Sequence, residues 1–223
     1  EVPAKVRADG WSKLYCITEW GPSGHWQVPK TQWKACIEET STEKAERYLE
    51  RYRAVMEKDR QMCLGSYVFF WGQKQERTHT WYGMFLPGGE RTGAVGVMQY
   101  VWTGQWPENR APRVSRLRIE GGTAEESIHL KAGQEYAARI EASDPDADAL
   151  AFEYEVLAEQ TTFGYGGMGE RRPATLDGLV RSQDGGEMRF VAPAKEGAYR
   201  LFVYVRDDKG AAATANAPFY VKP

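Results

Sequence analysis

The hydrophobic pattern near the amino-terminal end predicts two strands separated by a helix. One apolar, β-rich run covers Leu14 to Thr18, and a second covers Met62 to Trp71. Uninterrupted runs of this kind are typical of parallel strands that are covered on both faces. Between them, apolar residues recur at helical spacing from Ala45 to Met56. The order strand, helix, strand predicts a βαβ unit whose strands lie parallel and near each other.

Polar residues indicate where this helix begins and ends. Thr40 and Glu43 have the spacing of a capping box, with Ser41 as a competing cap. The helical pattern then continues to about Arg60. A shorter helix is expected over residues 31–39.

Candidate chemistry lies where each predicted strand gives way to a loop. Glu19 and Trp20 end the first run, directly before the turn-forming sequence Gly21-Pro22-Ser23-Gly24. Catalytic carboxylates of parallel barrels occupy this edge of the sheet. The second run ends at Trp71 and is followed by the polar segment 72–81. The two strand ends are therefore the candidate site.

These residues resemble a known family of enzymes. The pattern Leu14-Tyr15 through Glu19-Trp20-Gly21, then a helix, then Gly65-Ser66-Tyr67-Val68-Phe69-Phe70-Trp71-Gly72 resembles the last two strands of the (β/α)8 retaining glycoside hydrolases. The likeness is greatest to glycoside hydrolase family 2 and covers roughly residues 10–85. It implies that Glu19 is the nucleophile and that Trp71 forms the floor of a sugar subsite.

The resemblance gives the other rim residues expected roles. Exposed indole faces would stack on sugar rings, whereas core packing is the alternative for each tryptophan. The histidines would bind a sugar hydroxyl or tune Glu19, and the remaining acid would be a candidate partner carboxylate. The residues expected to bind substrate in this way are Trp20, Trp26, Trp71, Trp81, His25, His79 and Glu76.

A complete barrel of this kind typically needs about 250 residues. The chain begins about one strand before Glu19, and its first residue is Glu1 rather than Met. We therefore expect a carboxy-terminal fragment, inactive alone, whose acid/base residue lies outside this chain. The expected partners are a carbohydrate substrate and the missing barrel portion or another chain. The resemblance implies an exported bacterial enzyme, either secreted or periplasmic.

Composition divides the chain near residue 107. All 8 tryptophans and all 3 cysteines precede that position, and two prolines punctuate the polar run from Trp106 to Pro112. The expected domains are a partial barrel over 1–106, a linker over 107–112 and a second module over 113–223.

Charge and cysteine usage exclude several functions. The chain has 29 basic and 31 acidic residues, and this balance gives no basic footprint for nucleic acid. No apolar run is long enough for a transmembrane helix. The odd number of cysteines, two of them in apolar runs, and the lack of a Cys–His zinc spacing predict neither a disulfide framework nor a zinc site. No cofactor and no metal are expected.

The sequence of the second module predicts an all-β fold. Short runs separated by turn residues suggest about seven strands, which is the count of an immunoglobulin-like β-sandwich. These runs are 114–119, 127–130, 136–142, 150–157, 187–191, 199–206 and 212–221. The expected fold class is thus α+β, with a partial (β/α)8 barrel followed by this sandwich. The segments 140–150 and 204–210 resemble polycystic-kidney-disease and cadherin-like modules of secreted bacterial glycosidases.

Two features of this module leave alternatives open. Asp144, Asp146 and Asp148 alternate as calcium ligands sometimes do, and Asp207 could approach them. A solvated turn is the favoured interpretation, so calcium binding is expected to be weak or absent. The segment 159–186 is long and glycine-rich, and it is expected either to pack against the other domain or to form a mobile tip.

The best-supported function at this stage is the carboxy-terminal part of an exported retaining glycoside hydrolase. The alternative is a non-catalytic carbohydrate-binding or cell-surface module that uses the tryptophans as a platform. A third possibility is that the sandwich is a passive spacer or a calcium-stiffened adhesion unit.

Overall fold

Two parallel strands form the first sheet of the computed structural model, which describes residues 2–223. The elements of this region are helix α1 (Val2–Ala8), strand β1 (Tyr15–Trp20), helix α2 (Ser41–Tyr52), strand β2 (Cys63–Val68) and helix α3 (Gly93–Thr103). Strands β1 and β2 pair in parallel, with Cys16 opposite Gly65. The predicted βαβ unit is therefore confirmed, whereas α1 and α3 are not among the predicted elements.

The capping box predicted for the central helix is present. The Glu43 backbone N–H donates to Thr40 Oγ1 at 3.1 Å, and the Thr40 N–H donates to Glu43 Oε2 at 2.8 Å. After Tyr52 the chain continues through a π-helical turn, Arg53–Glu57. The helical segment thus ends close to the expected position, Arg60.

Only one face of the β1–β2 sheet is covered. Tyr15 and Ile17 pack against a core built with α2 and α3. On the other face Leu64 and Tyr67 are 71% and 68% exposed, and Cys16 is exposed as well. The expectation of two covered faces is therefore wrong, because both helices lie on the same side. Within residues 2–223, no further strand pairs with either edge of this sheet.

The short helix expected over residues 31–39 is absent from the structure. The segment is a tight turn in which the Thr31 N–H donates to the Ala35 carbonyl at 2.9 Å and the Lys34 N–H donates to the Thr31 carbonyl at 2.8 Å. Lys34 has φ 66°, in the left-handed region, and this conformation breaks a right-handed helix.

The second module consists mainly of two four-stranded sheets packed face to face. The strands are β3 (Arg113–Val114), β4 (Arg118–Ile119), β5 (His129–Lys131), β6 (Glu135–Arg139), β7 (Ala142–Ser143), β8 (Ala151–Ala158), β9 (Val180–Asp184), β10 (Glu187–Val191), β11 (Gly197–Arg206) and β12 (Ala212–Lys222). The sheet orders are β4-β6-β10-β9 and β5-β12-β11-β8, and β3 pairs separately with β7. Phe190 and Phe219, from opposite sheets, meet in the fully buried core between them.

Each of the seven predicted runs contains strand residues. β9 was not predicted, because it lies inside the segment expected to be a long loop. That loop therefore shortens to residues 159–179. The fold is mixed α+β and rich in sheet, and the described part of the chain contains no closed barrel. Among residues 2–223, none of the helices is long and apolar enough to cross a bilayer.

A buried polar cluster joins the two halves of the chain. Glu38 accepts hydrogen bonds from Lys44 Nζ at 2.5 Å, Thr78 Oγ1 at 2.6 Å, Thr80 Oγ1 at 2.8 Å and Asn216 Nδ2 at 2.7 Å. Burial by itself raises the pKa of the Glu38 carboxyl, but the Lys44 ammonium and the donated hydrogen bonds outweigh it, and the pKa lies below its usual range. Because these donors satisfy the carboxylate, it can stay ionised in the interior.

Candidate functional site

A cavity of about 170 Å³ opens at the carboxyl ends of β1 and β2. It is lined by acidic, aromatic and loop residues: Glu19, Trp20, Gly21, Pro22, Gly24, Trp26, Gln27, Arg51, Phe69, Glu76 and Tyr82. The structure therefore brings Glu19, Trp20, Trp26 and Glu76 together from the predicted set of site residues. We call this cavity the strand-end pocket.

The loop after β1 is held in place by a side chain from α2. Arg51 Nη1 donates to the carbonyl oxygen of Gly21 and, at 2.9 Å, to that of Pro22. Gly24 packs beneath the indole of Trp26, and a Cβ atom at Gly24 would lie 2.6 Å from the Trp26 ring. Glycine is therefore required at this position for Trp26 to lie as it does. The Trp26 side chain remains 69% exposed.

Glu19 presents an open carboxylate to the strand-end pocket. It is exposed at the penultimate position of β1, whereas the neighbouring Trp20 is buried against Tyr48 with ring centroids 5.2 Å apart. No residue in the range 2–223 forms a hydrogen bond or an ion pair with the Glu19 side chain. The carboxylate is thus available to a ligand as a nucleophile, a base or a hydrogen-bond acceptor.

Glu76 differs from Glu19 because it is buried and ion-paired. Its residue exposure is 6%, and its Oε2 lies 2.7 Å from Lys74 Nζ. The backbones of Glu76 and Thr78 exchange hydrogen bonds at 3.1 and 2.8 Å around Arg77, which has φ 66°. Two carboxylates therefore line the strand-end pocket in different states, one open and one paired with an ammonium group.

His25 supports the exposed tryptophan. Its Nδ1 lies 3.1 Å from the Tyr82 hydroxyl oxygen, which also accepts the His25 backbone N–H at 3.2 Å. The His25 ring meets the Trp26 ring edge-on, with centroids 4.9 Å apart. Burial and the charge of Arg77 lower the pKa of His25, and burial raises the pKa of Tyr82 to about 12. Both groups are therefore neutral near pH 7, and His25 positions the Trp26 ring.

The structure places His79 away from the strand-end pocket, in the interface between the two halves. Its Nε2 bonds to the Tyr204 hydroxyl, which in turn donates to Glu155, and Arg172 also binds Glu155. Burial, followed by the charge of Arg172, lowers the pKa of His79 to about 4. The expectation that His79 faces a sugar is corrected here, because the packing of β8 and β11 encloses the ring.

Trp81 and Trp71 also differ from their expected rim positions. Trp81 is only 1% exposed, and its indole N–H donates to the Ser23 carbonyl at 3.0 Å, so it supports the loop from below. Neither face of its ring is open to a sugar. Trp71 is 50% exposed but lies outside the pocket lining, with its ring 5.8 Å from that of Trp102 and 5.5 Å from that of Phe85.

Several lining residues were not anticipated from the sequence. Arg51 and Tyr82 come from α2 and from the segment after Trp81, and each reaches the loop only through the tertiary fold. Phe69 follows β2 directly, and its side chain packs on Tyr82 with centroids 5.0 Å apart. The sequence provides no signal for Phe69 as a rim residue, because the apolar run continues to Trp71 whereas β2 ends at Val68.

No protein-family model matches the chain, and no curated protein matches it. One similar solved structure is a nucleoside hydrolase-related hypothetical protein from Saccharophagus degradans that is associated with carbohydrate metabolism. It is 15% identical over 57% of this chain, with a TM-score of 0.34, and the match spans 29% of that protein's length. Another is the PmoD soluble domain from a Methylocystis species, 13% identical over 53% of this chain and 95% of that one, with a TM-score of 0.28. Both TM-scores are too low for either likeness to support a fold or a function.

Proposed function

We propose that the strand-end pocket is part of the carbohydrate site of a retaining glycoside hydrolase and that Glu19 is the nucleophile. One observation carries the proposal: an unpaired carboxylate and an exposed indole line a single pocket at the carboxyl ends of two parallel strands. Indole faces suit the apolar faces of pyranose rings, and barrel enzymes keep their catalytic carboxylates at this edge.

The chemistry follows from the two roles that a retaining mechanism needs. The Glu19 carboxylate attacks the anomeric carbon and forms a glycosyl ester while the leaving-group oxygen takes a proton from an acid. Water then hydrolyses the ester, with the acid's conjugate base removing a proton from that water. Retaining enzymes hold the two carboxyl groups about 5 Å apart. Because Glu76 is already paired with Lys74, we assign the acid/base role to a carboxyl group outside this chain.

The fold proposal is that residues 1–106 form the end of a (β/α)8 barrel and residues 113–223 an immunoglobulin-like sandwich, joined by a linker at 107–112. Its support is the parallel β1–α2–β2 unit with open edges and the exposed Leu64 and Tyr67. Additional barrel strands, or another chain, would cover those apolar side chains and pair the edges. An exported location, secreted or periplasmic, belongs to the same proposal.

The nucleophile assignment is tested by covalent labelling. An activated 2-deoxy-2-fluoroglycoside with a good leaving group needs no protonation to depart, so it reacts without the acid and leaves a long-lived ester on the nucleophile. We expect mass spectrometry of peptides to place the sugar on Glu19 and expect no label in Glu19→Gln, which keeps the shape and loses the charge. A label on Glu76 with Glu19 unmodified would overturn the assignment.

Sugar binding itself needs a separate measurement. Calorimetric titration with a panel of oligosaccharides should show binding that Trp26→Ala abolishes, whereas Trp11→Ala, which removes another exposed indole outside the pocket, should leave it unchanged. Binding that depends on Trp26 without any labelling at Glu19 would favour the non-catalytic carbohydrate-binding module. Absence of both would reject a carbohydrate site in this pocket.

A further inference from the structure

Three side-chain oxygens near the start of the second module are shielded from solvent and have no hydrogen-bond donor. They are Asn109 Oδ1, Asp144 Oδ2 and Asp148 Oδ2, and no group within residues 2–223 donates to them. Buried oxygens of this kind are rare in native proteins unless a water or an ion binds them. Three of them in one region therefore indicate a ligand rather than an isolated packing defect.

The residues that carry these oxygens come together with Asp207 from three separate segments. Carboxylate oxygens of Asp144, Asp148 and Asp207 all lie within 4.8 Å of one another. Asn109 Nδ2 donates to Asp207 Oδ2 at 2.9 Å, which brings the Asn109 amide beside the carboxylates. Asn109 precedes β3, Asp144 and Asp148 lie between β7 and β8, and Asp207 follows β11. The tertiary fold thus assembles an oxygen-only cluster.

Local hydrogen bonds occupy one oxygen of Asp144 and leave the other without a partner. Asp144 Oδ1 accepts the backbone N–H groups of Asp146 at 2.8 Å and Asp148 at 3.2 Å, so Oδ2 is left for another partner. The turn is completed by Ala147 at φ 63°. Asp146 is directed elsewhere, because its Oδ2 accepts the Arg110 backbone N–H at 2.6 Å.

The charge of the cluster is only partly balanced. Lys209 Nζ lies 2.5 Å from Asp148 Oδ1, and about half of the Lys209 side chain is exposed to solvent. Asp207 Oδ1 accepts the backbone N–H groups of Lys209 at 2.9 Å and Ala211 at 2.8 Å. One ammonium group therefore faces three carboxylates, and mutual repulsion among like charges at this distance favours a bound cation.

We propose that Asn109, Asp144, Asp148 and Asp207 form a Ca²⁺-binding site. Calcium takes six to eight oxygen ligands, from carboxylates, amide carbonyls, backbone carbonyls and water, and the cluster offers only oxygen. No histidine or cysteine belongs to it, which disfavours zinc and copper. The bound ion ties the segment 107–112 to the β7–β8 turn and to the end of β11.

This site differs from the one that the sequence pattern suggested. The alternation of Asp144, Asp146 and Asp148 resembles a pattern of calcium ligands, but a solvated turn with weak or absent binding is the favoured interpretation of the sequence alone. The structure withdraws Asp146 from the set, retains Asp207, and adds Asn109 as an uncharged ligand. The site does not depend on the strand-end pocket or on any glycosidase activity.

The test is a calcium titration of the full chain after treatment with a chelator, followed by calorimetry and thermal melting. We expect a dissociation constant of about 10⁻⁴ to 10⁻³ M, which is the range of extracellular calcium modules, and a melting temperature that rises with calcium concentration. Asp144→Asn keeps the Oδ1 acceptor of the turn and replaces the unpartnered oxygen with an NH2 group. This variant and Asp148→Asn should each weaken binding by about tenfold or more.

Two further variants make the result specific. Asp146→Asn makes the same charge change in the same turn and retains the acceptor for the Arg110 N–H, so it should bind calcium nearly as tightly as the unmodified chain. Lys209→Gln removes the competing ammonium group and should bind calcium more tightly. Failure of the unmodified chain to bind at 10 mM calcium would overturn the proposal. An equal loss in Asp146→Asn and Asp144→Asn would also overturn it, because it would indicate nonspecific charge attraction.

Discussion

Gly167, in the loop after β8, lies directly against Glu76 in the strand-end pocket. A Cβ atom at Gly167 would come within 2.8 Å of Glu76 Cβ and 2.7 Å of the Gln75 carbonyl oxygen. The same loop is fixed by Glu170, whose Oε2 accepts the Arg77 N–H at 2.7 Å, and by Phe163, whose ring lies 3.6 Å from the Arg77 guanidinium carbon. A loop of the second module thus supports the wall of a pocket formed by the first.

Replacing Gly167 with alanine should therefore displace Glu76. Gly167 and Gly169 both have φ 75°, so alanine at either position pays the same left-handed strain of about 1 to 2 kcal/mol. Only Gly167 has neighbours within 4 Å of the added Cβ. We expect Gly167→Ala to destabilise the protein more than Gly169→Ala in urea unfolding and to alter ligand binding in the pocket. Equal effects of the two substitutions would show that the contact is unimportant.

Lys44→Met should be severely destabilising. It leaves Glu38 ionised in the interior without its ammonium partner, and removing one member of a buried pair typically costs about 3 to 5 kcal/mol. Adding Glu38→Gln should restore part of this loss, because the unpaired charge is then gone. Lys5→Met, at an exposed ion pair with Asp9, is the control and should change denaturant stability little. A mild effect of Lys44→Met would contradict the importance of the buried pair.

His79 should make folding stability depend on pH between about 6.5 and 4, a window that begins above the range in which carboxyl groups titrate. Its pKa is about 4 in the folded protein against 6.5 for the free side chain, so the unfolded chain binds the proton more readily. The part of the folding stability that depends on a neutral His79 is therefore fully present above pH 6.5. It is lost as the pH drops from 6.5 to 4, by roughly 3 kcal/mol in total. The free energy of unfolding, measured by urea melts at several pH values in this range, should change less with pH in His79→Gln than in the unmodified protein. His129→Gln, at an exposed histidine, should retain the slope of the unmodified protein.

The two tryptophans flanking the second strand-end loop should respond differently to truncation. Trp81→Ala deletes a fully buried indole and should cost about 3 to 5 kcal/mol in denaturant melts. Trp71→Ala should cost less, because half of that side chain is already exposed and its neighbours are the rings of Phe85 and Trp102. If Trp71 also forms a sugar subsite, its loss should weaken ligand binding. An equal stability loss in both variants, with sugar affinity unchanged, would make Trp71 a core residue.

Local signals made much of the fold predictable. The capping box at Thr40 and Glu43 and the helical repeat that follows specified the central helix. The short runs between turn residues located most strands of the second module. The hydrophobic period and the capping box both depend on residues a few positions apart, so both can be recognised directly in the sequence. The same rule placed Glu19 at a strand end, where the structure has it.

The sequence did not predict in this way which side chains are buried or which distant residues lie together. Trp26 and Trp81 each lie within two residues of a histidine in a loop, yet Trp26 is exposed and Trp81 is buried. Trp81 is buried because Cys36, Tyr82 and the loop after β1 pack around it. The expectation that both faces of β1 and β2 are covered was wrong for the same reason. Which elements pack against a strand is decided by the tertiary structure and not by the strand's own sequence.

The sequence by itself therefore determined the central helix, the strands with strong local patterns and the position of Glu19 at a strand end. The tertiary structure decided which candidate residues share a pocket and which are buried. It also joined Asn109 to Asp207, 98 positions apart, beside Asp144 and Asp148. A single sequence records no distances between remote positions, whereas ligand binding depends on those distances to within a few tenths of an ångström.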